Sequence, residues 1–355
     1  MNAVEFHAKP EVSQLRREYY TRLAAKNAAP LWEVLSSLVT PTPRDKTQAA
    51  LWRYADMRPL IMEAGELITA EEAERRVLIL ENPGLRGTSQ ITQSLYAGLQ
   101  MIGPGEVAPS HRHVASALRF VIEGEGAYTA VSGERTPMRP GDFILTPSWK
   151  YHDHGNDGTG NMVWLDGLDI PIVNFFSTSF AEHHPEKTQP ISRPVGAALS
   201  QYGMGMIPVE YVSDSASSPV FVYPFERSRN ALEKQEAAGS GDAWHGVKMQ
   251  YANPITGGFP MPTIAAFLQK IPKGFNGLSY RSTDATIYCV AEGSGFTEIN
   301  GVRLDWERHD IFVVPSWHTV SHHATSASIL FSFSDRSAQK ALAIWREELL
   351  ELGEA

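Results

Sequence analysis

The sequence contains one cysteine, Cys289, among 355 residues, so no disulfide bond can form within the chain. Proteins without disulfides are typical of reducing compartments, and we therefore expect this protein in the cytoplasm. No uninterrupted apolar run is long enough to cross a bilayer, and residues 1–14 lack the apolar core of a signal peptide. These absences predict a soluble, cytoplasmic protein with no membrane partner.

Positive charge is also scarce. The chain has 31 lysines and arginines against 40 aspartates and glutamates, which gives a net charge of −9. Because no basic stripe is available to neutralise phosphates, we exclude nucleic acid as a partner. The content of 43% hydrophobic and 20% charged residues is ordinary for a globular protein, and 355 residues are more typical of two domains than of one.

Short strand-like segments separated by Gly, Pro or Asn turns occupy most of residues 77–166 and 249–335, a pattern typical of β-barrels and jelly rolls. Apolar residues recur at helical spacing in residues 11–39 and 338–352. Residues 180–250 are rich in Pro, Ser and Gly, with a helical patch at 227–238. We therefore predict an N-terminal helical extension (1–66), a first barrel (67–180), a connecting segment (181–248), a second barrel (249–335) and a C-terminal helix (336–355).

The second half of the chain repeats the first. The segment Val121–Gly126 corresponds to Val290–Gly295, and the segment Asp142–Trp149 corresponds to Asp310–Trp317. Such a repeat predicts two barrels of the same kind.

Histidines gather in the first half. His111 and His113 are two residues apart, so both imidazoles point to one side of a strand. His152 follows after two Gly-punctuated apolar segments that read as hairpin-connected strands, and a closed antiparallel barrel would bring it back to the first two. We predict that these three histidines bind a metal ion. Arg112 has the opposite parity and should lie on the outside.

The repeat register places Tyr280, Ser282 and Val320 where the first half has its three histidines, so we expect no metal site in the second barrel. Three further histidines lie nearby but out of register, and we interpret them as mostly structural or surface residues: His318, His322 and His323.

The first-half pattern resembles the two sequence motifs of the cupin barrels. The matching positions are Gly105, His111 and His113 in the first motif and Gly141, Pro147, His152 and Asn156 in the second. Trp149 stands where the motif prefers glycine, and Ala117 stands where many cupins have a glutamate ligand. The resemblance implies an all-β bicupin, with two double-stranded β-helix barrels and helical extensions at both ends.

Three neutral imidazoles leave a divalent cation with its full charge and with open coordination positions. Such a site suits an anionic chelating ligand, for example the carboxylate and phenolate of an aromatic hydroxy acid. The ligand type alone does not select the metal, because zinc, iron, manganese, nickel and copper all accept imidazole.

Five segments resemble gentisate 1,2-dioxygenases, and the resemblance covers most of the chain: Leu95–Gln100, Ser116–Phe120, Pro147–Trp149, His152–Asn156 and Trp164–Asp169. The family implies Fe(II), O₂ as co-substrate, and ring cleavage of gentisate to maleylpyruvate between the carboxyl-bearing and adjacent hydroxyl-bearing carbons. It also implies a homotetramer that functions in aromatic catabolism. Similar relatives act on salicylate or 1-hydroxy-2-naphthoate, and the sequence does not choose among these substrates.

The same resemblance implies roles for individual residues. His111, His113 and His152 would bind the iron. Arg119 would hold the substrate carboxylate and His154 would transfer protons. The remaining implied substrate contacts are Gln100, Tyr96, Asp166 and either Arg75 or Arg76.

The residues around Arg119 also support its proposed role in binding the substrate carboxylate. An arginine inside the apolar run Ala117–Val121 is costly to bury without an anion. A structural alternative is that it pairs with an internal carboxylate.

Two other classes of function compete with the dioxygenase. A cupin isomerase or epimerase for sugar phosphates would need more basic residues around the metal and would usually keep the glutamate ligand. A non-catalytic ligand-binding cupin would have little need of three histidines and an inward arginine.

Overall fold

The computed structural model describes residues 13–351, which divide into two compact units between Arg44 and Asp45. The first unit contains helices α1 (Gln14–Ala24) and α2 (Leu31–Leu38). The Tyr20 hydroxyl holds them together, because it donates a hydrogen bond to Glu33 (2.6 Å) and accepts one from Trp32 (2.8 Å). The helices predicted over residues 11–39 are present from Gln14 onward, whereas residues 1–12 of the predicted extension lie outside the described residues.

The second unit opens with a strand and two helices: β1 (Ala50–Trp52), α3 (Tyr54–Leu67) and α4 (Ala70–Ala73). Helix α4 begins where the sequence predicts a cap, because Thr69 Oγ1 accepts a hydrogen bond from the amide of Glu72 (3.2 Å). Strand β2 (Val77–Ile79) and a 3₁₀ turn (Pro83–Leu85) follow.

Eight strands then build most of the first barrel: β3 (Tyr96–Ile102), β4 (Val107–His113), β5 (Ala117–Glu123), β6 (Ala127–Val131), β7 (Glu134–Pro137), β8 (Phe143–Thr146), β9 (His152–Asn156) and β10 (Met162–Leu168). The connecting segment contains α5 (Ile170–Phe175), β11 (Ala181–His183), α6 (Ala197–Tyr202), β12 (Val222–Tyr223) and α7 (Phe225–Ala237). The first barrel consists of a six-stranded sheet in the order β12-β8-β5-β10-β3-β2 and a five-stranded sheet in the order β11-β4-β9-β6-β7.

The second barrel repeats this plan with β13 (Val247–Gln250), β14 (Ala265–Ile271), β15 (Tyr280–Ser282), β16 (Thr286–Glu292), β17 (Gly295–Ile299), β18 (Val302–Trp306), β19 (Ile311–Val314), β20 (Val320–Ala324) and β21 (Ser328–Ser334). The chain then forms α8 (Arg336–Ala341) and β22 (Glu347–Leu349). The two sheets have the orders β1-β19-β16-β21-β14-β13 and β18-β17-β20-β15-β22. The prediction of an all-β fold with two jelly-roll barrels is therefore confirmed.

The core between the barrels explains which side chains face each barrel's interior. The six-stranded sheets pack on each other, and Phe120 of β5 stacks on Phe331 of β21 with ring centroids 4.2 Å apart. Since side chains alternate along a strand, the preceding residue, Arg119, must point into the first barrel. The sheet packing thus places an arginine inside a closed barrel.

The C-terminal segment differs from the helix predicted over residues 338–352. Helix α8 ends at Ala341, and Ala343 adopts a left-handed backbone conformation with φ of 58°. Tertiary contacts outweigh the helical spacing, because Trp345 Nε1 donates to Asp284 (2.8 Å) and β22 pairs with β15. Leu352, the last residue of the predicted stripe, lies outside the described range. Within residues 13–351, the helices are all too short or too polar to cross a membrane.

Candidate metal centre

The three predicted histidines come together at the pairing of β4 with β9. Cα partners in this pairing include His111 with His152, and the candidate ligand nitrogens of these two residues and His113 all lie within 4.8 Å of one another. In residues 13–351 no other group of His, Cys, Asp or Glu side chains is arranged this way. The three histidines predicted from their spacing therefore form the one cluster of this kind in residues 13–351.

Hydrogen bonds orient each imidazole for metal binding. Nδ1 of His111 lies 3.3 Å from the carbonyl oxygen of Pro109, Nδ1 of His113 lies 2.7 Å from that of Ala115, and Nδ1 of His152 lies 3.0 Å from that of Lys150. With Nδ1 directed at the backbone, Nε2 is the nitrogen left for a cation. The Arg75 guanidinium also contacts His111 Nδ1.

Burial keeps these imidazoles neutral. Loss of solvent, followed by the positive charge of Arg75, lowers the pKa of His111 to about 3. Burial lowers the pKa of His113 to about 4 and that of His152 well below its ordinary value. Neutral imidazoles offer a lone pair to a cation, so the donor set fits a divalent metal ion.

Trp149 occupies the position where the cupin motif prefers glycine, and its contacts explain why a large residue is tolerated there. Its backbone is left-handed, with φ of 59°, and its amide donates to the carbonyl of His113 (2.8 Å). The Arg112 guanidinium lies 4.6 Å from the Trp149 ring centroid and pairs with Glu182, so Arg112 is on the outside as its parity predicts. The stacked ring and the amide hydrogen bond offset the strain of this conformation.

Beside the histidines is a cavity of about 320 Å³. Its walls contain the three clustered histidines and most of the residues that the sequence associates with substrate: Arg75, Tyr96, Gln100, Arg119 and Asp166. Arg75 rather than Arg76 faces the cavity. Arg76 turns away and pairs with Glu106 (2.8 Å).

Arg119 makes two internal contacts. Its side chain is 4% exposed, its Nη1 donates to Thr146 Oγ1 (2.8 Å), and its Nε lies 3.4 Å from Asp166 Oδ1. Burial lowers the pKa of Arg119, while the nearby carboxylate opposes this shift. The internal carboxylate considered as an alternative is therefore present, and it is Asp166 itself.

The charges around the cavity nevertheless favour an anion. Two guanidinium groups, Arg75 and Arg119, face one carboxylate, Asp166, and a bound cation would add further positive charge. Burial raises the pKa of Asp166 to about 6, although Arg119 and a hydrogen bond from Trp164 Nε1 (3.0 Å) oppose the shift. An anionic ligand would compensate the excess positive charge.

His154 lies next to the cavity but does not line it. Its ring centroid is 5.8 Å from that of His152, and its Nδ1 is 2.9 Å from Thr129 Oγ1. The side chain is fully buried, and its Nε2 has no hydrogen-bond partner among the described residues. Burial lowers the pKa of His154 well below its ordinary value, so the ring is neutral.

Several neighbours of these residues are not marked by any motif in the sequence. Thr146 and Thr129 hold Arg119 and His154, and an apolar wall completes the cavity: Val77, Ile79, Leu168 and Ile170. The wall could have been found from strand alternation, since Leu168 shares the parity of Asp166.

The second barrel keeps the geometry but not the ligands. Tyr280 pairs with Val320 just as His111 pairs with His152. His322 repeats the arrangement of His154, because its Nδ1 lies 2.9 Å from Thr297 Oγ1. His323 stacks on Phe296 and His318 Nδ1 contacts the Ser316 carbonyl, so the three extra histidines have structural contacts.

Comparison with known proteins agrees with this architecture. The cupin domain family matches residues 98–168, the part of the chain that carries the three histidines. The fold and the site together define a two-barrel cupin protein with a three-histidine metal centre.

Relatives that align with nearly the whole chain identify the family within this class of proteins. Gentisate 1,2 dioxygenase 1 of Aquipseudomonas alcaligenes is 54% identical over 97% of this chain and 99% of its own length. The 5-aminosalicylate 1,2-dioxygenase of a Comamonas species is 35% identical, with 92% and 88% covered. A crystal structure of salicylate 1,2-dioxygenase from Pseudoaminobacter salicylatoxidans with gentisate superposes with a TM-score of 0.90 at 33% identity, covering 96% of this chain and 95% of that one. The chain belongs to the gentisate 1,2-dioxygenase family of ring-cleaving enzymes, and the resemblance stated from the sequence is confirmed.

Proposed function

We propose that this protein is an Fe(II)-dependent gentisate 1,2-dioxygenase, which cleaves gentisate with O₂ between the carboxyl-bearing carbon and the adjacent hydroxyl-bearing carbon to give maleylpyruvate. The observation that carries the proposal is the cavity in which two guanidinium groups face three neutral imidazoles. Such a site binds a carboxylate beside a metal ion. The choice of gentisate rests on the relative with 54% identity.

His111, His113 and His152 would hold the iron, which supplies binding of the substrate oxygens and activation of O₂. Both oxygen atoms of O₂ enter the product, so no other reductant is consumed. All other contributions that we propose come from the protein's own side chains.

The substrate carboxylate would bind Arg119, whose position is fixed by Thr146 and Asp166. Arg75, which also lines the cavity, would add positive charge, and the Gln100 amide would donate a hydrogen bond. Charge-assisted hydrogen bonds of this kind orient a planar anion, and orientation in a largely closed barrel lowers the entropic barrier to reaction.

Asp166 and His154 would accept and donate protons during the reaction. A carboxyl group with a pKa of about 6 can accept a proton from the second ring hydroxyl near neutral pH. His154, neutral and with an unpartnered Nε2, would exchange a proton with a substrate oxygen. Tyr96 and the apolar wall would shape the space around the ring.

Anaerobic loading with Fe(II), followed by oxygen-electrode and ultraviolet measurements with gentisate, salicylate and 1-hydroxy-2-naphthoate separately, tests the proposal. Oxygen uptake with gentisate, in step with a ring-opened chromophore, is the expected result. Faster turnover of salicylate or the naphthoate would reassign the substrate. No uptake with any of the three by protein that contains one iron per chain would overturn the proposed reaction.

We infer further that the protein is cytoplasmic and assembles as a homotetramer. The inferred localisation agrees with the absence of a membrane-spanning helix in residues 13–351. The inferred assembly is supported by the exposed apolar side chains of helix α2, which another subunit could cover. Analytical ultracentrifugation tests the tetramer, and a monomeric mass would contradict it.

A further inference from the structure

A second large cavity lies outside both barrels. It has a volume of about 430 Å³ and is enclosed by α6, α7 and strands β13 and β14. Leu268 and Met249 line it, whereas their neighbours Phe267 and Lys248 lie 5.2 Å apart (ring centroid to Nζ) on the opposite face of the sheet, inside the second barrel. This sheet therefore lies between the cavity and the interior of the second barrel.

The walls of this cavity are apolar and rich in rings. Three tyrosines, Tyr202, Tyr223 and Tyr251, line it together with aliphatic side chains that include Leu199 and Leu232. A volume of several hundred Å³ with mainly apolar and aromatic walls is the usual character of a small-molecule site. Aromatic walls favour a flat, ring-containing ligand.

One polar group in the wall is buried without a partner. Tyr251 is 6% exposed, and its ring centroid lies 4.8 Å from that of Phe143. Its hydroxyl is close to Ser228 but forms no hydrogen bond of acceptable geometry with any described residue. Leaving a buried hydroxyl unsatisfied is costly, and an oxygen atom on a ligand would remove that cost.

A free positive charge also lines the cavity. Arg227 on α7 is exposed and forms no ion pair with any residue in the range 13–351, and its Nη2 lies 2.8 Å from the sulfur of Met204. Arg229, which lies two residues further along α7, pairs with Glu233 (3.6 Å) and Glu292 (3.3 Å) and does not line the cavity. The unpaired arginine is thus the one beside the apolar space.

We propose that this cavity binds an apolar aromatic monocarboxylate that carries a second oxygen substituent. The ring body fills the space among the tyrosines and aliphatic side chains, the carboxylate pairs with Arg227, and the second oxygen accepts a hydrogen bond from the Tyr251 hydroxyl. Arginine matches a carboxylate through two parallel hydrogen bonds, so it gives such a ligand both affinity and orientation. This site is independent of the metal centre and of the reaction proposed there.

The probe is 6-hydroxy-2-naphthoate, whose carboxylate and hydroxyl lie at opposite ends and cannot chelate one metal ion. Equilibrium dialysis with iron-loaded protein under nitrogen should give one bound molecule per chain. Arg227→Gln should weaken binding about tenfold or more, as expected for loss of a charge-assisted hydrogen bond. Ala231→Trp, which fills the cavity from α7, should abolish binding.

Two variants serve as matched controls. Arg229→Gln removes an equal charge from the same helix and should leave the dissociation constant unchanged. The double variant Arg119→Gln/Asp166→Asn alters the metal-site cavity and should also bind the probe normally. Thermal unfolding verifies that each variant is folded, and if Ala231→Trp does not fold, the comparison of Arg227→Gln with Arg229→Gln decides.

Several results would overturn the proposal. These are absence of binding to the unaltered protein, equal weakening by the Arg227 and Arg229 substitutions, or loss of binding in the metal-site double variant. A fall in the assembly mass of Ala231→Trp on size-exclusion chromatography would show instead that a second copy of the chain occupies the cavity.

Discussion

Arg119 has two interpretations that one set of variants can separate. It either binds the substrate carboxylate or serves to neutralise the buried carboxylate of Asp166, 3.4 Å from its Nε. Arg119→Gln removes both interactions at once. Breaking a buried ion pair while leaving one charge behind costs about 3–5 kcal/mol, so this variant should be strongly destabilised under either interpretation.

The double variant Arg119→Gln/Asp166→Asn removes the stranded charge. Both residues are nearly fully buried, so most of the lost stability should return when neither is charged. Substrate binding should not return. Loss of a hydrogen bond to a charged group costs about 1.5–3 kcal/mol, which raises the Michaelis constant for gentisate roughly 10- to 100-fold.

Urea unfolding and oxygen-electrode kinetics on the wild type, both single variants and the double variant measure the two effects separately. Asp166→Asn alone should keep a low Michaelis constant while turnover falls, because the proposed proton acceptor is lost. If the double variant regained both its stability and the wild-type Michaelis constant, Arg119 would have only a structural role and the carboxylate assignment would be refuted.

Three further outcomes follow from individual contacts. Replacing any one of the clustered histidines by alanine should reduce the iron content measured by atomic absorption to well below one per chain, with little change in folding; full occupancy would exclude that residue as a ligand. Burial raises the pKa of Asp284, but the charge of Arg336 together with hydrogen bonds to Ser334, Arg336 and Trp345 outweighs burial, and the pKa is about 2. Because the folded pKa is below the unfolded value, the ionised Asp284 and its contacts contribute about 2 kcal/mol above pH 4 that is lost as the pH falls toward 2, and Asp284→Asn should abolish that part of the acid-unfolding curve. Gly295→Ala places a Cβ in steric conflict with the backbone oxygen of His323 and should cost about 1–3 kcal/mol in urea unfolding, whereas Gly160→Ala, with open space around it, should change stability by less than about 0.5 kcal/mol.

The metal ligands could be predicted because their positions follow from strand alternation and from the closure of an antiparallel barrel. His111 and His113 come from strand β4, and the third ligand, His152, comes from the neighbouring strand β9. The pairing of His111 with His152 brings the third imidazole next to the other two. The substrate side chains could be listed from the resemblance alone. Which of Arg75 and Arg76 turns inward depends on tertiary contacts, here the pairing of Arg76 with Glu106.

The C-terminal segment shows why local periodicity was insufficient. Leu342, Trp345 and Leu349 have helical spacing, but the Trp345 indole donates a hydrogen bond to Asp284, and Glu347–Leu349 form the edge strand of the five-stranded sheet. Edge pairing satisfies backbone groups that a short solvent-exposed helix would leave at its ends. The same limitation applies to the second cavity, because α6, α7 and β13 come together only in the folded chain.

The second barrel differs from the first in one more feature, besides the three replaced histidines, that we expect to disfavour a metal ion. Lys248 pairs with Gln269 in the sheet as Val77 pairs with Gln100, so a lysine occupies a position that lines the cavity of the first barrel. Its ammonium lies 5.2–5.9 Å from the rings of Phe267, Tyr280 and Tyr288, and burial lowers its pKa to about 8. A cation already held among aromatic rings would repel a divalent metal.

Restoring the three histidines at Tyr280, Ser282 and Val320 should therefore not by itself create a second metal site. Adding Lys248→Val removes the competing charge, so the fourfold variant should bind about two metal ions per chain where the threefold variant binds one. Metal analysis after dialysis against Fe(II) under nitrogen measures the difference, with thermal unfolding as the test that both variants fold. Equal metal content in the two variants would show that the lysine is irrelevant and that loss of the imidazoles alone ended metal binding in this barrel.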